Sequence, residues 1–176
     1  MKTYNIKKSL LAATIAAAGL AASGNAVAAT QGSVGATSEG NLDIFLVIPD
    51  LIRITQLADI DFGTYTGDGA DLTQSSDACV RTNGAATYQV TATSTAGSFE
   101  LQAGTAATTV PYSVEWGGNA LTYNTGLGTQ AADDTSLGGD CTGATGKVSV
   151  TILGTDMDAA EADSYSDTLT LTVSPE

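Results

Sequence analysis

The sequence predicts an all-β, antiparallel sandwich, and three observations carry that reading. Apolar and polar residues alternate with period two through most of the chain beyond Asn41. Turn signals punctuate those runs at short spacing, and only 157–162 reads as a helical turn. Many short alternating strands joined by tight turns build sandwiches, whereas a βαβ fold needs a helix between successive strands.

Taken in order, the chain opens with Lys2, Lys7 and Lys8, an apolar run from Leu10 to Leu20, and Ala26-Val27-Ala28. This is the pattern of a secretory signal peptide over 1–28, with cleavage after Ala29 fitting equally. Its apolar core is shorter than the ~20 residues a bilayer span requires. Residues 29–40 are Gly, Ser and Thr-rich and read as a disordered lead. In the next segment Leu42, Ile44, Leu46 and Ile48 fall on one face of an extended strand, with Asp43, Phe45 and Val47 on the other. Pro49 removes a backbone donor before a second apolar strand at 51–54.

Further strands are expected at 60–65, 78–81, 87–93, 98–102 and 120–123. The clearest alternation lies at 110–116, 147–152 and 165–173. In the last, Tyr165, Asp167, Leu169, Leu171 and Val173 form one row and Ser166, Thr168, Thr170 and Thr172 the other. Turns are expected at Gly67-Asp68-Gly69, Asn83-Gly84, Gly117-Gly118-Asn119 and Gly138-Gly139, with Asn83-Gly84 read as a tight hairpin turn. No repeat of solenoid or propeller period is visible.

Six basic residues stand against nineteen acidic ones, and none is histidine. Without the signal only Arg53, Arg81 and Lys147 remain, for a net charge of 3 − 19 = −16 on 176 − 28 = 148 residues. That length suits one domain, 49–176, preceded by an extension at 29–48. Three separated cations cannot build a basic surface, so neither nucleic acid nor direct membrane insertion is expected. Cys79 and Cys141, an even count behind an export signal, predict one disulfide.

Lack of histidine removes the usual base for a nucleophile and the commonest zinc ligand, so the chain is not expected to be an enzyme and no cofactor is expected. Asp68, Asp71, Asp133 and Asp134 read as turn formers. Asp156, Asp158, Glu161 and Asp163 could ligate calcium, but they lack the glycine and final glutamate of an EF-hand loop; Gly67-Asp68-Gly69-Ala70-Asp71 is a weaker case. Trp116 and Tyr112 share a row with Val110 and Val114, which reads as core and not as a sugar platform.

The strand GNLDIFLVI at 40–48, IDFG at 60–63, DACVRTNGAATYQVTA at 77–92, VPYSVEW at 110–116 and DSYSDTLTLTV at 163–173 occur in that order behind an export signal. In this the chain resembles a pilin subunit of chaperone-usher fimbriae, nearest the archaic, Csu-like (spore coat U domain) group. It departs from that group in having no cysteine across 49–59. The resemblance implies an immunoglobulin-like sandwich lacking its final strand, with a hydrophobic groove filled first by a periplasmic chaperone and then by the N-terminal extension of another pilin subunit. It further implies delivery through the periplasm to an outer-membrane usher and a place in a surface fimbria. On it Leu42, Ile44, Leu46 and Ile48 become the donor row, and Leu169, Leu171 and Val173 line the acceptor groove. Two alternatives stand beside this: 41–48 as the first strand of the chain's own sandwich, and a secreted monomeric module binding carbohydrate or calcium.

Overall fold

The computed structural model describes residues 29–138, 141, 143 and 146–176. The signal expected at 1–28 and Gly139 of the Gly138-Gly139 turn lie outside them. Two units emerge, one running to Val47 and the other Ile48–Glu176.

In the first, Thr30 and Asn41 exchange backbone hydrogen bonds of 2.9 and 3.0 Å. Residues 42–47 have no strand assigned, and Leu42, Ile44, Phe45, Leu46 and Val47 are all exposed.

The described residues of the second unit form eleven strands and one short helix: β1 (Ile52–Thr55), β2 (Leu72–Thr82), β3 (Thr87–Ser94), β4 (Glu100–Ala103), β5 (Thr109–Pro111), β6 (Ser113–Trp116), β7 (Asn119–Ala120), β8 (Gly126–Ala131), β9 (Gly146–Ile152), α1 (Gly154–Ala159), β10 (Tyr165–Ser166) and β11 (Leu169–Pro175). They form three antiparallel sheets, ordered β1-β2-β9-β6-β7, β11-β3-β8 and β10-β4-β5. The first two contribute alternate apolar rows to one core, Val80, Val114, Trp116, Val148 and Val150 from one and Tyr88, Val90 and Ala92 from the other.

Trp116 is 1% exposed, and its Nε1 donates to the Tyr88 hydroxyl at 3.0 Å while the rings meet edge-on, 6.3 Å apart. Burial pushes the Tyr88 phenol up to about 12, so it stays a neutral partner. The aromatic row thus belongs to the core, as its alternation with Val110 and Val114 predicts.

Several expected elements take a different form. The run at 110–116 breaks at Tyr112, whose N–H donates to Phe99 O: β5 pairs with β4 and β6 with β9. The run at 165–173 breaks likewise at Asp167, with β10 beside β4 and β11 beside β3. Both strands change sheets, which the uninterrupted alternation of side chains conceals.

Asn83-Gly84 does not make a primed hairpin turn, since neither residue has a positive φ and β2 and β3 lie in different sheets. Instead Asn83 holds the 49–51 backbone, accepting from Leu51 N–H at 2.7 Å and donating to Pro49 O at 2.7 Å. Gly117 and Gly118, both at positive φ, do form a two-residue hairpin turn between β6 and β7.

Residues 60–65 form no strand. Gly63 adopts φ +70°, and its N–H donates to the Asp61 carboxylate at 2.8 Å, a local turn that ends extension. The helical turn starts earlier than expected, at Gly154, where the Asp71 carboxylate takes its N–H at 2.9 Å.

Cys79 and Cys141 are bonded, with Cα atoms 6.1 Å apart, linking β2 to the connection between β8 and β9. Arg81, on the same strand, donates to Ser136 O at 3.1 Å and to Gly138 O, and pairs with Asp134 at 3.3 Å. Asp133 accepts from Val80 N–H at 2.6 Å. Asp133 and Asp134 therefore fix a long connection against β2 instead of merely solvating a turn. The bond spans 62 residues, for which chain entropy gives roughly 4 kcal/mol. Cys79→Ala with Cys141→Ala should lower the denaturant midpoint by a corresponding amount, read by urea titration, with the β-sheet circular dichroism of the native state unchanged.

Candidate functional site, an open apolar groove

The strand order fixes where a strand is missing. In chain order β1, β2, β3, β6, β9 and β11 occupy positions A to F of an immunoglobulin sandwich: A-B-E-D in one sheet as β1-β2-β9-β6, and C-F in the other as β3-β11. Strand G of that arrangement would pair with the far side of β11, where no strand is assigned among the described residues.

The register of β11 shows what that edge offers. Thr95 N–H donates to Thr168 O, and Glu176 N–H to Thr87 O, each at 3.2 Å. Continuing the pairing Thr170↔Thr93, Thr172↔Thr91 and Ser174↔Gln89, the even-numbered residues turn their backbone groups toward β3. Leu169, Leu171 and Val173 therefore aim theirs at the open side. Their side chains, on the inward row, are half-buried. Pro175 has no N–H to offer and ends the edge.

Beside this edge lies a groove of about 1130 Å³. One wall is β11 with Leu169 and Leu171, and the other is the irregular segment 57–65 with Ile60 and Phe62. Its depth reaches Val148, Val150 and Ile152 of β9, Leu101 of β4, Val110 of β5, and Tyr112 where the chain passes from β5 to β6. Met157 of α1 also contributes. Val173 packs against the core outside this lining. The alternation of β9 and β5 points to the floor; the wall at 57–65 carries no such signal, because it is not a strand.

Two carboxylates brace the mouth. Asp167 sits where the chain leaves β10 for β11 and accepts from Tyr112 OH at 2.6 Å, Thr95 Oγ1 at 2.7 Å and Thr168 N–H at 2.7 Å. Partial burial pushes its pKa upward, but hydrogen bonds from Ser94, Tyr112, Thr95 and Thr168 outweigh that and bring it to about 2. Burial, then the bond to Asp167, raises the Tyr112 phenol far above its ordinary value. Asp163 accepts from Ala106 N–H at 2.6 Å and Thr105 N–H at 2.7 Å, and backbone donors of this kind hold it well below the usual carboxylate range.

A depressed folded pKa means that ionised Asp167 stabilises the fold fully above the unfolded value of 3.8, a contribution lost as pH falls toward about 2. Asp167→Asn should flatten the acid limb of the stability curve between those values, measured by urea midpoints at successive pH. Tyr112→Phe should move the Asp167 pKa upward, read by carboxyl NMR.

Two of the four acids considered for calcium are engaged by different partners. Asp158 accepts from Tyr65 OH at 2.7 Å, a bond that raises the Tyr65 pKa, and Asp163 is occupied by the backbone of 105 and 106. Among the described residues the only close triple of metal-ligating side chains is Cys79, Asp133 and Cys141, whose cysteines are bonded to each other. Leu42, Ile44, Leu46 and Ile48 are exposed, at 71, 89, 81 and 67%. No described helix is long and apolar enough to cross a membrane.

The described domain is thus an immunoglobulin-like sandwich with one strand position open over an apolar groove. No protein-family model and no curated protein matches the sequence. Among solved structures it is similar to one described as a chaperone-tip adhesin complex vital for synergistic activation of CFA/I fimbriae biogenesis, at 17% identity and a TM-score of 0.47. That likeness covers 71% of this chain and 42% of the other, so the chain spans less than half of that chain's length. The A-B-E-D and C-F strand order by itself defines the fold.

Proposed function

We propose that this protein is a non-enzymatic structural subunit of a surface fimbria, of the chaperone-usher type and the archaic, Csu-like (spore coat U domain) group, which polymerises by N-terminal donor-strand exchange. The observation that supports this best is the open strand position beside the apolar groove, in a chain that also carries the exposed aliphatic row Leu42, Ile44, Leu46 and Ile48. Strand addition joins main-chain hydrogen bonds along an edge to alternate side chains set in pockets. Leu169, Leu171 and Val173 supply the backbone edge, and Leu169 and Leu171 also line the receiving groove. Four aliphatic side chains at roughly 1.5 to 3 kcal/mol each set an upper bound near 6 to 12 kcal/mol before ordering costs.

An apolar groove beside an open edge invites aggregation, which is the physical case for a periplasmic chaperone that covers it before an outer-membrane usher hands the subunit on. The arm of the next subunit then completes the sandwich at the cell surface. Purified mature protein should form rods visible by electron microscopy, and protein lacking residues 29–48 should not. Rods of equal length from both would contradict the proposal.

A further inference from the structure

The groove is ringed by one sign of charge. Asp59, Asp61, Glu161, Asp163 and Asp167 border it, and among the described residues no Lys or Arg does. Arg81 is buried against the 134–138 backbone, while Arg53 and Lys147 stand on β1 and β9 outside the lining. The donor arm is acidic too. Glu39 and Asp43 accompany its aliphatic row, and no basic residue occurs from 29 to 48. Each copy carries 3 − 19 = −16 over residues 29–176.

Resting on the reading of the groove as a strand acceptor, we infer that its acid rim opposes entry of this chain's own arm, so that strand addition between copies is controlled by ionic strength. Apolar burial draws the arm in only at contact, whereas like charges act across the approach. Screening length is about 30 Å at 0.01 M salt, about 10 Å at 0.1 M and about 3 Å at 1 M. In dilute salt an incoming arm meets the field of the whole rim; in concentrated salt it meets only the groups it touches. Interfaces with complementary charge associate more slowly as salt rises. This one does the reverse.

Salt also strengthens apolar burial, so a charge variant is needed to separate the two effects. Glu39→Gln with Asp43→Asn, made in the full mature chain, keeps the aliphatic row and removes two charges from the arm. Assembly followed by light scattering should accelerate at least about tenfold for the parent between 10 mM and 500 mM NaCl, in keeping with the change in screening. The double variant should start faster at 10 mM and show a shallower dependence. Parent rates that stay level or fall with salt overturn the inference alone, as does a double variant with the parent's slope. Failure of both proteins to assemble at every salt concentration overturns the fimbrial reading and this inference with it.

Discussion

Leu46→Asp in the mature chain is expected to leave a folded monomer that forms no fibres. Leu46 is 81% exposed, so the change removes no packing from the isolated subunit and should alter its stability by less than about 0.5 kcal/mol. In the proposed fibre the same position enters the groove of a neighbour. There the substitution forfeits roughly 1.5 to 3 kcal/mol of leucine burial and adds the cost of desolvating a carboxylate among valines and isoleucines. Together these exceed about 4 kcal/mol, or roughly a thousandfold in affinity. Sedimentation velocity on the parent and the variant measures it directly. Leu46→Met, which conserves volume and apolarity, should still assemble. Val47→Ser, on the opposite face of the strand, should assemble as well; if Val47→Ser fails and Leu46→Asp succeeds, the wrong row has been assigned.

The second large effect concerns the core. Trp116→Ala should cost about 3 to 5 kcal/mol, a large part of the 5 to 15 kcal/mol that holds a typical domain together. Trp116 bridges the two sheets, giving its ring edge-on to Tyr88 and its N–H to the Tyr88 hydroxyl. Removal leaves a cavity and an unpartnered hydroxyl at one point. Tyr88→Phe should cost about 1 to 3 kcal/mol, the penalty of an indole N–H left buried without an acceptor. Urea denaturation followed by far-ultraviolet circular dichroism gives both values. Equal losses would mean that the hydrogen bond, and not the packing, dominates the contact.

Much of this fold is legible in the sequence, because a half-buried strand writes its two faces into alternating residues. β3 and β9 fall within about a residue of their expected bounds, and the inward row of β11 is the expected one. What alternation cannot carry is the sheet to which a strand belongs. Tyr112 and Asp167 each sit at a change of sheet inside an unbroken pattern, and only long-range pairing reveals it. β8, Gly126–Ala131, shows no alternation in the sequence because two glycines leave it little apolar content; its register against β3 is irregular, with Thr129 at φ +58°. The polar half of β2 gives no apolar signal either, since Thr73, Gln74 and Ser75 are exposed and pair by backbone with β9.

Of the groove, the wall at Leu169 and Leu171 was marked by the inward row of the last strand, with its acceptor role taken from the pilin resemblance. The opposite wall was not, because Ile60 and Phe62 imitate a strand that Asp61 and Gly63 interrupt. Asp167 reads in sequence as one more member of an alternating row. Its work, tying Tyr112 to the start of β11, depends on residues 55 positions apart.

Amide hydrogen exchange along β11 tests the central claim most directly. The mature monomer and the same protein with a peptide of residues 40–50 should be compared amide by amide. Thr170 and Thr172, bonded to β3, should be protected in both. Leu169, Leu171 and Val173 should exchange freely in the monomer and become protected when the peptide is added. Protection of those three in the monomer alone, or no change on adding peptide, would contradict an open strand position at this edge.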